Sequence, residues 1–355
     1  MKFRINALYW LFPIFYFLMV WLTMRASDAG TDFAAQIYRL GYAQNQYLEY
    51  FTDSEEPMLY DYVYYLLYSF TNTSPRFYIA ALSFIYFALI FYFCKKEANT
   101  NYYPYLNESD LGKIVLYACL CYSPLFICIA RYHFATILVV AGLLLIHYNS
   151  SKILKILGVA IMLLAFYAHE GIMILYGIIL LGWCLERFWL SYIINNQLRN
   201  VVISIIALSL LILGPIIFPN ISSVLGSLGL LNEHYAEGYA QQIAGDGAYL
   251  LVLILCLFGS MLSLFVTSLY DTKNNWITAI CISGLFIMCF LFNQKFFYVQ
   301  RIFMFMPIFM GLSCVQVIGS LPPGEKRYSY IFLLLSVPAI YLCQLVIQRG
   351  VFFGN

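Results

Sequence analysis

The chain has 355 residues, 63% of them hydrophobic and 10% charged, with mean hydropathy +0.80; a soluble domain carries about 25% charged residues and could not bury this much apolar surface. The 19 basic and 17 acidic residues leave a formal net charge of +2, a balance that excludes a nucleic-acid or polyanion-binding surface. Apolar runs recur along the whole length, which reads as repeated membrane crossing rather than one anchor on a globular domain.

Met1 to Arg4 followed by the apolar Ala7–Met24 has the layout of a signal peptide. The run is long and many further spans follow, so the expectation is an uncleaved first helix. Its outer end carries Arg25, Asp28, Gly30 and Asp32, with Tyr38 six residues further on. Gly30 allows a tight turn that folds Asp28 and Asp32 back toward Arg25. An arginine beside carboxylates either grips an anion with its bidentate fork or holds an acid ionised as a base; the plainer alternative is a snorkelling arginine in a polar loop.

Glu55, Glu56 and Pro57 suit the first turn of a helix, whose dipole favours nearby carboxylates. The following Met58–Phe70 is apolar but short and contains Asp61, so it lies at the interface or re-enters rather than crossing. Tyr60, Tyr64 and Tyr68 share one face of it at four-residue spacing. Aromatic rings among scattered acids suit sugars, which offer C–H faces to rings and hydroxyls to carboxylates; an interfacial aromatic belt is the other reading.

Further along, Arg131-Tyr132-His133 opens an apolar run, where a lipid-facing arginine would cost about 2.5–3.5 kcal/mol if central. Arg131 is therefore expected to face the bundle and meet a protein carboxylate or a ligand phosphate. His169 and Glu170 occupy the tight outer turn before the next span. His169 could accept a hydroxyl proton, with Glu170 as its orienting partner, or donate to a phosphate, or simply cap a helix. Arg301, with Lys295, Tyr298 and Gln300 before it, enters a late span from outside; two or three arginines at one membrane depth are what a pyrophosphate group requires. Glu233, His234, Tyr235 and Glu237 lie in an outer loop that either closes over such a site or is ordinary solvated surface.

The candidate spans are Ala7–Met24, Phe77–Cys94, Leu111–Tyr122, Phe126–His147, Ile153–Ala168, Gly171–Leu185, Val201–Phe218, Ala248–Leu269, Trp276–Phe292, Ile302–Val317 and Tyr328–Val346. The expected fold class is all-α: a polytopic transmembrane helical bundle of about 11 spans plus one short interfacial or re-entrant helix, forming a single integral membrane domain over residues 1–355. Outer loops 25–76 and 219–247 are expected to cover the active site. With the amino terminus cytoplasmic, twelve of the 19 basic residues fall on the cytoplasmic side, and eleven of the 17 acidic residues fall outside. The chemistry is accordingly placed on the outer face. All ten cysteines fall inside or at the ends of apolar runs, as small core hydrophobes with neither zinc spacing nor a disulfide framework. The chain carries no Walker motif or glycine-rich phosphate loop, so any reaction must use a pre-activated substrate.

Taken in order, Arg25, Gly30, Asp32 and Tyr38, then Glu56-Pro57, then Arg131 with Ala135, then His169 resemble the EpsG-like polysaccharide polymerases, similar in role to the Wzy-type O-antigen polymerases of bacteria. Tyr132, where glutamine is common, and Glu170 depart from that pattern. The resemblance implies a glycosyltransferase of the bacterial cytoplasmic (inner) membrane that joins oligosaccharide repeat units carried on undecaprenyl pyrophosphate, without metal or other cofactor. The growing glycan would pass to the non-reducing end of the next lipid-linked unit, with a chain-length regulator and a flippase as candidate partners. Arg131, Arg301 and Arg25 would hold the pyrophosphate. One of His169, Asp32 and Glu56 would take the acceptor proton, and Tyr38, Tyr60, Tyr64, Tyr68, Asp28 and Glu170 would contact the glycan. Alternatives are a flippase for the same lipid-linked oligosaccharide, an O-antigen ligase, an acyltransferase or a membrane scaffold. A flippase needs polar groups deep in a cavity open to both sides, whereas here they cluster at the outer ends of the spans.

Overall fold

A computed structural model describes residues 4–23, 36–41, 59–120, 130–187, 196–227, 275–291, 296–325 and 327–328. The regular elements among these residues are helices, with no strand. In chain order they are α1 (Ala7–Thr23), α2 (Leu59–Thr71), α3 (Pro75–Thr100), α4 (Glu108–Leu120), α5 (Ala130–Tyr148), α6 (Lys152–Ala168), a 3-10 turn (Glu170–Ile172), α7 (Met173–Leu185), α8 (Asn196–Ser227), α9 (Asn275–Leu291) and α10 (Phe296–Ser320). Residues 36–41 are also helical. The short helix expected over Met58–Phe70 is α2. The candidate spans Ala248–Leu269 and, beyond its first residue, Tyr328–Val346 lie outside the described residues.

Among the described helices, α3 and α5 are long and apolar enough to cross a bilayer. Shorter apolar helices include Ala7–Leu22, Met173–Leu185, Val201–Gly214 and Trp276–Phe290; at 1.5 Å per residue these reach roughly 20–25 Å against a hydrocarbon core of about 30 Å. The all-helical architecture is thus established, and a count of about 11 spans is not. The outward faces are apolar all the same. On α6, Ile153, Ile156, Val159, Leu163 and Tyr167 are exposed, and on α8 so are Val201, Ile205, Leu208, Ile212 and Ile216. Stripes of this kind would be a liability in water and suit lipid contact.

The described helices fall into two compact units, the first holding α1 to α6 and the second α7 to α10 with Tyr103–Tyr105. In the first unit α1 lies on α3 through rings: Trp10 against Phe91 at 4.5 Å between centroids, and Tyr16 edge-on to Phe87 at 5.0 Å. Helix α3 begins where its sequence says it should, with Pro75 in the first turn and the Ser74 hydroxyl accepting from the Phe77 N–H at 3.3 Å. Its far end is locked to α5 by Glu97, a fully buried carboxylate that accepts from Tyr148 Oη at 2.6 Å and Asn101 Nδ2 at 3.0 Å.

Helices α5 and α6 form an antiparallel hairpin about the turn at Asn149–Ser151. Gly142 and Gly158 face each other across it: a Cβ added at Gly142 would stand 2.5 Å from the Gly158 carbonyl oxygen, and one at Gly158 would stand 2.7 Å from that of Gly142. The backbones themselves touch, as small residues allow between membrane helices. In the second unit Gly182 of α7 plays the same part against α9, where an added Cβ would stand 3.2 Å from the Ile280 Cα, and Ser283 Oγ donates to the Ile178 carbonyl at 2.7 Å. Cys94, Cys119, Cys281, Cys289 and Cys314 form no disulfide and are buried, in keeping with their reading as core residues, while Cys184 is half-buried.

Candidate active site

The hairpin of α5 and α6 decides which polar residues meet. Because the helices are antiparallel, Arg131 at the start of α5 and His169 at the end of α6 stand at the same end of the unit. Tyr132, the residue after Arg131 and wholly buried, stands with its ring edge-on to the His169 imidazole, with centroids 5.4 Å apart and planes at 89°.

His169 is the residue after α6. Its backbone turns extended, at φ −167° and ψ 122°, while its N–H still bonds the Ala165 carbonyl. The chain then doubles back through the 3-10 turn, and the Gly171 N–H donates to His169 Nδ1 at 2.9 Å. An imidazole nitrogen that accepts carries no proton, so the neutral ring holds its proton on Nε2. His169 is 8% exposed, with its ring proton at that position.

Helix α2 packs on both α5 and α6. Tyr60 and Tyr64 are fully buried; both rings lie 5.2 Å from Tyr78 of α3, and Tyr60 is edge-on to Phe134 of α5 at 5.9 Å. The Tyr78 hydroxyl donates to the Tyr60 carbonyl at 3.3 Å, and the Tyr64 hydroxyl donates to the Thr73 carbonyl at 3.0 Å. That second bond closes the turn from α2 to α3, where Asn72 takes a left-handed conformation at φ 52°, one that asparagine tolerates better than most residues.

Beside Tyr60, Asp61 is fully buried and paired with Arg39 of the 36–41 helix at 2.7 Å. The Arg131 guanidinium stands close enough to Tyr60 for its charge, and the opposite charge of Asp61, to be felt at the phenol. One end of this unit therefore gathers two arginines, a buried carboxylate, a proton-donating imidazole and a tyrosine hydroxyl. Arginine forks recognise phosphate and carboxylate oxygens, and an imidazole N–H and a phenol serve the same oxygens or sugar hydroxyls.

The EpsG family matches the sequence over residues 8–352. The chain belongs to the EpsG family. No curated protein and no solved structure matches it. Membership in the EpsG family supports a polysaccharide-polymerase-like function of glycosyltransferase character, and with the apolar helices it makes this a membrane protein of polysaccharide biosynthesis.

Of the residues singled out from the sequence of this EpsG-family protein, Arg131, His169 and Tyr60 come to the same end of one unit. Tyr64 is packed beneath Tyr78, Tyr68 lies half-buried with its ring stacked on Tyr64, and Tyr38 is exposed on the 36–41 helix. Arg25, Asp28, Asp32 and Glu56 lie outside the described residues. Arg301 falls in α10, in the other unit, and Glu170 in the 3-10 turn; the side chains of both lie outside those described. Arg39 and Asp61 were not among the sequence candidates. A signal existed for Asp61, since a carboxylate inside an apolar helix must find a partner, but nothing in the sequence names one 22 residues earlier.

Proposed function

We propose that this EpsG-family protein is a metal-independent glycosyltransferase that polymerises oligosaccharide repeat units at the outer face of the bacterial cytoplasmic membrane. The observation that carries the reading is the edge contact of Tyr132 with His169, which sets His169 and the neighbouring Arg131 at one end of a bundle whose chain belongs to the family. The substrate is a glycan on undecaprenyl pyrophosphate. A hydroxyl oxygen at the non-reducing end of the incoming unit attacks the anomeric carbon of the growing chain. The bond from that carbon to the pyrophosphate breaks, and undecaprenyl pyrophosphate departs with the electron pair.

Arg131 neutralises the charge gathering on the leaving pyrophosphate, and Arg25 and Arg301 are the further candidates that the sequence offers for that task. His169, with Nδ1 held by Gly171, donates from Nε2 to a phosphate or sugar oxygen. The acceptor proton then goes to a carboxylate, Asp32 or Glu56. A single displacement inverts the anomeric centre.

The test is a glycan gel from the native host with the gene deleted, then restored as wild type or as Arg131→Ala at matched protein level. Polymerisation requires that deletion collapse the ladder to single capped units, that wild type restore it and that Arg131→Ala fail to. Lipid-linked units accumulating on the cytoplasmic side would instead identify a flippase. Glycans unchanged by deletion would overturn both.

A further inference from the structure

Two buried polar groups beside the Arg39–Asp61 pair have no hydrogen-bond partner among the described residues: the Tyr60 hydroxyl and the Gln36 side-chain oxygen. Both residues are buried, Tyr60 completely. Gln36 lies three residues before Arg39 on the 36–41 helix, hence on the same face, and Tyr60 immediately precedes Asp61 on α2. The 2.7 Å bridge from Arg39 to Asp61 ties together the two elements that carry the unsatisfied groups. Polar atoms buried without partners are rare and destabilising unless something else completes them.

The chemistry of the two groups narrows what completes them. The amide oxygen of Gln36 only accepts, so it needs a donor. A phosphate oxygen, itself an acceptor, cannot supply one. The Tyr60 hydroxyl can donate, and its ring is already held by Tyr78 and Phe134, so the hydroxyl is what it can offer a ligand. A carbohydrate hydroxyl both donates and accepts, and satisfies either group.

We propose that the Tyr60 hydroxyl and the Gln36 amide oxygen bind sugar hydroxyls of the repeat unit beside the Arg39–Asp61 bridge. This rests on the polymerase reading and deepens it. Tyr60 meets the glycan through its oxygen, with its ring committed to packing, and the subsite selects by hydroxyl position because a sugar lacking a matching hydroxyl leaves the protein group that would bind it unsatisfied.

The test uses full-length protein in lipid nanodiscs, lipid-linked repeat units purified from the host lacking this gene, and inorganic pyrophosphate as a competing probe. Tyr60→Phe keeps the ring and removes one oxygen; Gln36→Leu is its counterpart. For each variant the expected result is an unliganded melting midpoint at or above that of wild type, kcat/KM for repeat units lowered roughly tenfold or more, and inhibition by pyrophosphate unchanged. Wild-type kcat/KM in both variants would overturn the proposal and leave the polymerase standing. So would a midpoint that falls in Tyr60→Phe, which would mean the hydroxyl has a structural partner, or an equal loss of pyrophosphate inhibition, which would assign it to phosphate. Failure of wild type to lengthen the units would remove the polymerase reading and this inference with it.

Discussion

At the scale of single residues, the ion pair of Arg39 and Asp61 sets an asymmetry that can be measured. Asp61 is wholly buried, while the Arg39 side chain keeps about a quarter of its surface. Arg39→Ala would leave a buried carboxylate without its ion-pair partner, a loss of the order of 3–5 kcal/mol. Asp61→Asn leaves a guanidinium that water can still reach, so it should cost less; melting midpoints in detergent check the order. His169 makes a second prediction. If its role is to donate from Nε2, His169→Gln should keep more activity than His169→Ala, and the acid limb of the pH–rate profile should survive in it. A carboxylate base must be ionised to work, so its activity falls as pH drops through about 4, whereas an imidazole base would lose activity near about 6.5. A limb near the higher value that vanishes in His169→Gln would make His169 the base. The sequence marked His169 as a candidate and left base and donor open, because the choice depends on one backbone N–H two residues away, placed by a turn that no spacing rule reveals.

Among the elements, the α5–α6 hairpin does the most to build the site, and it is held by the contact of Gly142 with Gly158. Gly158→Val should separate the helices and break the edge contact of Tyr132 with His169. The expected outcome is a loss of at least about 1–3 kcal/mol of stability, together with loss of polymer per folded molecule, read by midpoint and turnover on one preparation. The opposite end of the same pair of helices gives the contrast. Tyr148→Phe takes one donor from the buried Glu97 and should cost about 1.5–3 kcal/mol while turnover per folded molecule stays at wild type. Both helices are legible as apolar runs, and the sequence puts His169 in the turn that follows α6. The glycine contact was not, since Gly142 and Gly158 are ordinary interruptions of apolar sequence until two particular helix faces are brought together. Glu97 was equally silent, as a charge beside Lys95 and Lys96 that looks like loop surface.

For the molecule as a whole, orientation is the property that joins fold to proposed function. The turn from α2 to α3 lies at the site end of its unit, and the turn from α5 to α6 at the other, so a cysteine at exposed Thr71 and one at exposed Ser150 should report opposite sides. With the site outward, a membrane-impermeant maleimide labels Thr71→Cys in intact cells with a permeabilised outer layer, and labels Ser150→Cys only after lysis. The reverse pattern would turn the site to the cytoplasm. Helical class, membrane residence and family were determined by the sequence alone. Hydropathy and helix periodicity accumulate residue by residue along the chain, and the family pattern is an order of short local motifs. Which polar residues share a site was decided only by the tertiary structure. Arg39 with Asp61, Tyr132 with His169 and Glu97 with Tyr148 are chosen by helix packing, and a buried polar group accepts whichever partner the packing delivers.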